Sequence, residues 1–224
     1  IKDGSNRIEI VVGDGYYRNL DKTEEPFVSY GGKKAIFEII CGDGENAEII
    51  AASDESARVK KRNAKSSLFN GDFVDFTDGE EGKEEKSVLS KEETGRFVFP
   101  ALGADKIIRE ITPLKENRKD GRIIYDFGYN HSGAPLFKVK GEKGKKLVLN
   151  FAECLNENGE LNPNTSLWSD YNEKLKTRHV IVQKSEYILS GGTDEIKPMF
   201  SWRCYRYLSA ESDGNFEINT VSQT

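Results

Sequence analysis

Short apolar runs separated by Gly, Asp and Asn turns dominate the chain from end to end. Residues 35–41 ("AIFEIIC") and 47–52 ("AEIIAA") are two such runs, and the intervening "GDGEN" predicts that they pair as a hairpin. After residue 112 the pattern becomes denser. It predicts strands at "RIIYDFG", "PLFKVKG", "KKLVLNFAE", "HVIVQKSEYILSG" and "RCYRYLSA". Many short strands with turns between them are typical of antiparallel sandwiches.

We therefore predict an all-β chain with two antiparallel, jelly-roll-like β-sandwiches. The change of pattern places the first domain at residues 1–107 and the second at residues 108–224. Residues 8–12 are expected to form a strand that ends at a Gly13-Asp14-Gly15 turn. Because the opening "IKDGSNRIEI" starts almost inside that strand, we expect the first sandwich to be truncated at its N-terminus.

Three segments fit the strand pattern less well. The charge-rich residues 77–93 are expected to form a solvated loop or a short helix. Residues 97–111 contain Pro100 and Gly103 and are expected to cross between the two domains in an extended form. Residues 167–179 ("LWSDYNEKLKTRH") are expected to form a short helix or a long loop.

The stretch "MFSWRCYRYLS" alternates bulky and basic residues with period two, which predicts a core strand. Trp202, Cys204 and Tyr205 are expected to share the packing with one sheet face. Arg203 and Arg206 would then cover the edges.

Composition narrows the function classes. Hydrophobic residues make up 36% of the 224 positions and charged residues 32%, and the formal net charge is -5, which does not favour nucleic acid. No apolar run approaches the roughly 20 residues that span a bilayer. Two histidines and three cysteines without a C-x-x-C pair argue against a His-rich metal site, a zinc ribbon or a Ser-His-Asp triad. Free thiols favour a reducing, cytoplasmic location, but the opening of the chain hides any export signal.

The turn "GDGYYRN" is the first candidate binding site. Asp14 could accept hydrogen bonds from vicinal hydroxyls, Tyr16 or Tyr17 could stack on the C–H face of a sugar, and Arg18 could bridge to it. The structural alternative is an ordinary turn in which one tyrosine ring packs into the core.

Two further turns carry carboxylates. In "FNGDFVDF", Asn70, Asp72 and Asp75 could hold a hard cation such as calcium, although self-capping turn residues explain the pattern as well. In "IYDFGYNHSG", Asp126 could support a site or simply form an Asx turn around Gly128. No cofactor other than calcium is indicated.

Catalytic chemistry has little support in the residues. Glycoside hydrolysis needs two carboxylates across a cleft, and no local spacing singles out one pair among 38 acidic residues. The stretch "GGTDEIK" lacks the Lys-Ser/Thr pair of a phosphate-binding loop.

The order of four motifs resembles the non-catalytic front half of bacterial α-L-rhamnosidases over nearly the whole chain. These motifs are "SNRIEIVVGDGYYRN", "ASDESARVKKRNAKSSLFNGDFVDF", "GRIIYDFGYNHSGAPLFKVKGEKGKKLVLNFAECLNENGEL" and "SEYILSGGTDEIKPMFSWRCYRYLSAES". The resemblance implies a carbohydrate-binding-like sandwich followed by a concanavalin-like sandwich. It also implies that the catalytic barrel with its acids lies beyond this chain, so that the fragment is inactive.

The same resemblance implies a rhamnose site on the first sandwich, with calcium in some relatives. The matching positions are Asp14, Gly15, Tyr16 and Tyr17. Departures from the family pattern include Tyr16 in place of Trp, and Gly15, which has no side-chain oxygen to offer calcium. The expected partners are a rhamnose-containing glycan and the chain's own catalytic domain, with no nucleic acid and no membrane.

Three hypotheses follow from these expectations. The chain is a rhamnose-binding region, with Asp14, Gly15, Tyr16, Tyr17, Arg18, Asn70 and Asp72 as contacts. Alternatively, it is a scaffold that orients the absent barrel without a ligand of its own, or it is a hydrolase that uses its own paired acids.

Overall fold

The computed structural model describes residues 4–14, 31–67, 71–77, 82–91, 95, 103, 106–165, 168–172, 176–181 and 183–223. Strands dominate these residues, and the two helical pieces are short 3₁₀ turns at Gly44–Asn46 and Pro163–Thr165. None of the described helices has the length and apolar character needed to cross a membrane. The prediction of an all-β chain is confirmed. The strands are β1 (Glu38–Cys41), β2 (Glu48–Ala52), β3 (Arg58–Lys60), β4 (Ala64–Ser67), β5 (Gly71–Asp75), β6 (Glu84–Lys86), β7 (Glu110–Ile111), β8 (Lys115–Lys119), β9 (Arg122–Gly141), β10 (Lys146–Ala152), β11 (Trp168–Asn172), β12 (Thr177–Ile181), β13 (Lys184–Ile188), β14 (Thr193–Ile196), β15 (Arg203–Ser212) and β16 (Phe216–Gln223).

The strand β9 organises the large sheet system, whose order is β4-β5-β13-β10-β15-β9-β16-β7. Its first part, residues 122–133, pairs antiparallel with β15, and its last part, residues 134–141, pairs antiparallel with β16. The strands β8 and β14 also pair with β9. One 20-residue strand is therefore shared by ladders on both sides of the core.

Alternation along these strands builds the core, as the sequence pattern predicts. In β9, Ile123, Tyr125 and Phe127 are buried, and after the middle of the strand Phe137 and Val139 are buried in turn. Facing strands contribute the other fully enclosed side chains, because successive residues of a strand point to opposite faces. These are Leu147, Leu149, Phe151, Tyr187, Leu189, Ile196, Tyr205, Leu208 and Ala210.

The expected boundary at residues 107/108 does not separate the sheets. The strands β4 and β5 lie before it, yet β5 pairs in parallel with β13 at Phe73–Glu186, Val74–Tyr187 and Asp75–Ile188. The side chains of Val74 and Phe76 pack against the same core. Residues 64–76 therefore belong physically to the second unit, because a hydrogen-bonded ladder and a common core unite them with it.

Smaller sheets account for the rest of the described strands. The β1–β2 hairpin confirms the prediction for residues 35–52. In the charge-rich residues 77–93, the expectation of a loop or a short helix is wrong for Glu84–Lys86, because these residues form β6 and pair with β3. The expectation of a helix or loop over residues 167–179 is wrong, because β11 and β12 form an antiparallel hairpin there. In the expected crossing, residues 97–102, 104 and 105 lie outside the described residues.

The predicted strand at residues 8–12 is not a strand in the structure. Ile8, Ile10 and Val12 remain 46%, 47% and 39% exposed. A strand is defined by its ladder of hydrogen bonds, and no described segment pairs with these residues.

A buried histidine lies within the aromatic part of the core. His131 on β9 is 9% exposed, and its ring centroid lies 4.3 Å from that of Tyr205 and 5.3 Å from that of Phe127. Burial lowers the pKa of His131, and the charge of Arg109 acts in the same direction. The fold therefore favours the neutral imidazole.

We expect this histidine to make the protein sensitive to mild acid. The pKa of His131 in the folded state lies below the unfolded value of about 6.5, so the unfolded chain takes up a proton first as the pH falls. The stability that the neutral, buried imidazole contributes is therefore complete above about pH 6.5 and is lost as the pH falls from there towards the folded-state pKa. Urea unfolding between pH 7 and pH 5 should show falling stability, and the slope should be smaller in His131→Gln. Equal slopes in the two proteins would contradict this assignment.

Candidate functional site

The described part of the candidate sugar turn centres on Asp14. Its Oδ1 lies 3.1 Å from Lys33 Nζ, and the side chain is only 16% exposed. Lys33 also donates to the backbone carbonyl of Val12 at 3.4 Å. A lysine 19 positions along the chain therefore holds this carboxylate at the end of residues 4–14. Gly15, Tyr16, Tyr17 and Arg18 lie outside the described residues, as does Asn70.

An aromatic ring from the second half of the chain lies against this turn. A Cβ placed on Gly13 would come within 2.6, 2.8 and 2.9 Å of three carbons of the Phe200 ring. Real Cβ atoms do not approach so closely, so the contact depends on glycine at this position. Phe200 nevertheless remains 42% exposed.

Asp72, predicted as a surface contact, is instead buried. It is 6% exposed, and its carboxylate accepts hydrogen bonds from Ser66 Oγ at 2.6 Å and Ser201 Oγ at 2.9 Å. Its backbone N–H donates to Ser185 Oγ at 3.3 Å. The expectation that Asp72 touches a ligand is therefore corrected, because hydroxyl groups of the protein already occupy both carboxylate oxygens.

The same buried cluster contains a cation and a phenol. Arg203 is 8% exposed, and burial lowers its pKa while the Asp72 charge opposes that shift. Burial and the charge of Asp72 raise the pKa of Tyr187, so its hydroxyl stays protonated. Within the described part of the chain, Arg203 Nε and Nη2 have no hydrogen-bond partner. Asp72 therefore supplies the negative charge that makes this buried guanidinium tolerable.

Gly71 permits this arrangement. Its φ of 80° lies in the left-handed region, and a Cβ there would stand 1.9 Å from the carbonyl oxygen of Lys184. Only glycine allows β5 to approach β13 this closely.

The predicted phase of "MFSWRCYRYLS" is wrong at its start. Trp202 is 61% exposed and Cys204 is only partly buried, whereas Arg203 and Tyr205 point inward. The acid at position 72 explains the difference, because it makes the interior tolerable for the Arg203 charge at the first residue of β15.

Asp126, which the sequence suggested either as support for a site or as part of an Asx turn, has a structural role. Its Oδ1 accepts the Gly128 N–H at 2.7 Å, which is the expected Asx turn. Arg206 binds both carboxylate oxygens, at 2.8 and 3.0 Å. The hydrogen bond from Arg206 is the main cause that lowers the pKa of Asp126. Arg206 lies at the irregularity between β9 and β15, where the register shifts between Tyr205 and Tyr207.

The described residues contain no cluster of three or more His, Cys, Asp or Glu side chains that could hold a metal. Asp75 instead caps its own turn by accepting from the Thr77 hydroxyl and N–H at 2.6 and 2.9 Å. Calcium binding by Asn70 and its neighbours stays an expectation, because part of that loop lies outside the described residues.

A polar pocket of about 190 Å³ lies at the beginning of β9, beside Arg122. There Arg122 pairs with Glu160 at 2.5 Å and with Glu211 at 2.8 Å. Sequence reasoning did not single out these residues, because their strands are far apart in the chain. Glu160, one of the two acids that line the pocket, is therefore held in an ion pair with Arg122, and Asp120 is the other.

These features define a β-sandwich region in which strands from both halves of the chain share one core. Residues 116–222 match the family model described as the bacterial alpha-L-rhamnosidase concanavalin-like domain. The resemblance stated from the motifs is thus confirmed for this part of the chain, which is similar to the concanavalin-like domain of bacterial α-L-rhamnosidases.

Comparisons with individual proteins agree. An α-L-rhamnosidase of Alteromonas sp. (strain LOR) is 30% identical over 114 residues, which are 49% of this chain and 10% of that protein. The structure of the Streptomyces avermitilis α-L-rhamnosidase complexed with L-rhamnose matches 84% of this chain and 18% of its own, at TM-score 0.61 and 20% identity. The α-L-rhamnosidase from Dictyoglumus thermophilum matches 80% of this chain and 21% of its own, at TM-score 0.54 and 24% identity. The chain thus spans about a tenth to a fifth of these relatives.

Removing the Asp72 carboxylate should destabilise the fold strongly. Asp72→Ala leaves the Arg203 guanidinium buried without its neighbouring negative charge, so we expect a loss of about 3 kcal/mol in the free energy of unfolding. Denaturant titration measures it. Asp43→Ala is the matched control, because this acid is exposed and makes no side-chain cap bond, and its effect should stay within about 0.5 kcal/mol. Equal stability of the two variants would refute the role given to Asp72.

Proposed function

We propose that this chain is a non-catalytic β-sandwich region of an α-L-rhamnosidase-like glycoside hydrolase, and that it binds a terminal L-rhamnose residue at the Gly13–Arg18 turn. The observation that carries the proposal is the Asp14 carboxylate, which Lys33 holds at 3.1 Å directly after Gly13, the residue against which the ring of Phe200 packs. A fixed hydrogen-bond acceptor next to an apolar surface is what a sugar with polar and apolar faces requires.

The residues that follow Asp14 complete the proposed site. In this proposal Gly15 would let the backbone approach the ligand, Tyr16 and Tyr17 would offer rings for stacking, and Arg18 would offer donors to sugar hydroxyls. Asn70, directly before β5, is the further polar contact that we propose. Asp72 contributes from below the surface, because it holds Ser201 next to Phe200.

The family match supports the wider context of the proposal. In the intact protein, the hydrolysis of rhamnosides would be carried out by the much larger part of the relatives that this chain does not cover. The sandwich region would bring a rhamnose-containing glycan close to that catalytic domain and raise its local concentration.

Exposed apolar residues support a second function, that of a scaffold. Val88, Ile108 and Leu114 are 92%, 82% and 72% exposed. Large apolar side chains left in solvent are typical of surfaces that another domain covers. A scaffold would orient the catalytic domain without binding sugar.

Calorimetric titration of L-rhamnose into the chain separates these functions. We expect heat of binding in the wild type and its loss in Asp14→Ala, because the carboxylate accepts from sugar hydroxyls in a partly buried position. Asp43→Ala is the exposed-acid control and should bind like the wild type. Repeating the titration with calcium and then with a chelator tests the proposed cation.

Absence of heat in the wild type under both conditions would refute the binding function and leave the scaffold. Cleavage of an aryl α-L-rhamnoside by the purified chain, lost on replacing one of its own acids, would refute both functions in favour of a self-contained hydrolase.

A further inference from the structure

We infer that the polar pocket at the beginning of β9 is a second binding site, and that it takes one neutral pyranose residue. The pocket lies between the β8–β9 hairpin and the loop of residues 156–160. All of its lining residues belong to the described part of the chain, and none of them lies in the turn that begins at Gly13. The inference therefore goes beyond the proposed function and does not depend on it.

The β8–β9 hairpin supplies one wall of the pocket. In its antiparallel register, Lys119 lies opposite Arg122 and Asn117 lies opposite Ile124. Opposite residues share a face of the sheet, as do residues two positions apart, whereas the next residue points to the other face. Because Ile123 is buried in the core, all four side chains point away from the core and into the pocket.

The loop of residues 156–160 supplies the other wall. Asn156 Oδ1 accepts the N–H groups of Asn158 at 3.1 Å and of Glu160 at 3.0 Å, and the Asn156 N–H donates to the Glu160 carbonyl oxygen at 2.8 Å. Glu160 Oε2 then accepts from Arg122 Nη1 at 2.5 Å, which ties the loop to the hairpin. The two walls are therefore joined without a ligand, so less ordering is required when a ligand binds.

The charges that line the pocket disfavour an ion as the ligand. Lys119 and Arg122 are balanced by the carboxylates of Asp120 and Glu160. A bound anion would lie near two carboxylates, and a bound cation would lie near an ammonium group and a guanidinium group. A neutral ligand avoids both repulsions.

The other lining groups match what a sugar ring presents. The amide groups of Asn117 and Asn158 each offer one acceptor oxygen and two donor hydrogens, which suits hydroxyl groups that both donate and accept. Ile124 offers an apolar surface to the C–H groups of the ring. The volume of about 190 Å³ is below the roughly 300–1,000 Å³ of pockets for drug-sized ligands, so it suits a single ring rather than a chain of sugars.

The test titrates methyl β-D-glucopyranoside, an uncharged pyranoside, into the isotope-labelled chain and follows its amide and methyl signals by NMR. We expect a dissociation constant on the order of millimolar, with signal changes at the side-chain amides of Asn117 and Asn158 and at the methyl groups of Ile124. The double variant Asn117→Ala/Asn158→Ala should bind at least about tenfold more weakly, because both amides lose their hydrogen bonds to the sugar.

Asn219→Ala is the matched control, since this asparagine is also exposed on a strand but pairs with the far end of β9. It should keep the affinity of the wild type. Asn117 and Asn158 are both exposed, so the double variant should fold, and its backbone amide signals check this. If it does not fold, Asn158→Ala alone should still weaken binding by about threefold to tenfold.

The outcomes are distinct from those that decide the rhamnose site. Asp14→Ala should leave the affinity for the glucopyranoside unchanged, so either site can fail without the other. The inference is overturned if no signals change at millimolar glucopyranoside, or if the changes occur only outside the pocket. A preference of about tenfold or more for the glucuronide or for glucosamine would also overturn it, because a charged ligand contradicts the balance of charges.

Discussion

The parallel pairing of β5 with β13 is the constraint on which the arrangement of the two halves depends. It joins residues 73–75 to residues 186–188, and it requires glycine at position 71, because a Cβ there would stand 1.9 Å from the Lys184 carbonyl oxygen. Asp72 is the next residue, and its carboxylate accepts hydrogen bonds from Ser66 and Ser201 and interacts with the charge of Arg203. A single buried acid thereby connects the sheet edge, the start of β15 and the segment that carries Phe200.

Local patterns were sufficient for most strands. Period-two alternation located β9, β10, β13 and β15, because each has one face on the core and one face turned away from it. The same reasoning failed for residues 167–179, whose Glu, Lys and Leu content favours a helix by propensity, although the chain pairs them as a hairpin. Tertiary pairing decided that segment, as it often does where propensities are weak.

The candidate site was predictable only in part, for a related reason. Asp14 could be singled out from its own turn, whereas Lys33 as its ion-pair partner and Phe200 as the neighbour of Gly13 are recognised only when the chain is folded. Arg203 was assigned to the wrong face of the strand because a charged side chain is expected at the surface unless an opposite charge is known to lie nearby. That opposite charge is Asp72, which lies 131 residues earlier in the chain. Hydrogen bonds between residues 113 or 129 positions apart leave no local signal.

The length and position of β9 have a consequence for synthesis on the ribosome. Its principal partners β15 and β16 end at residue 223, some 80 positions after β9 itself is complete. At about 5–20 residues per second, roughly 4–16 s separate the emergence of β9 from that of its last partner. During that interval β9 can pair with β8, which precedes it, but the stretch that carries Phe127 and Phe137 lacks its β15 and β16 partners. The apolar face of this stretch is therefore completed only when the final strands have been made.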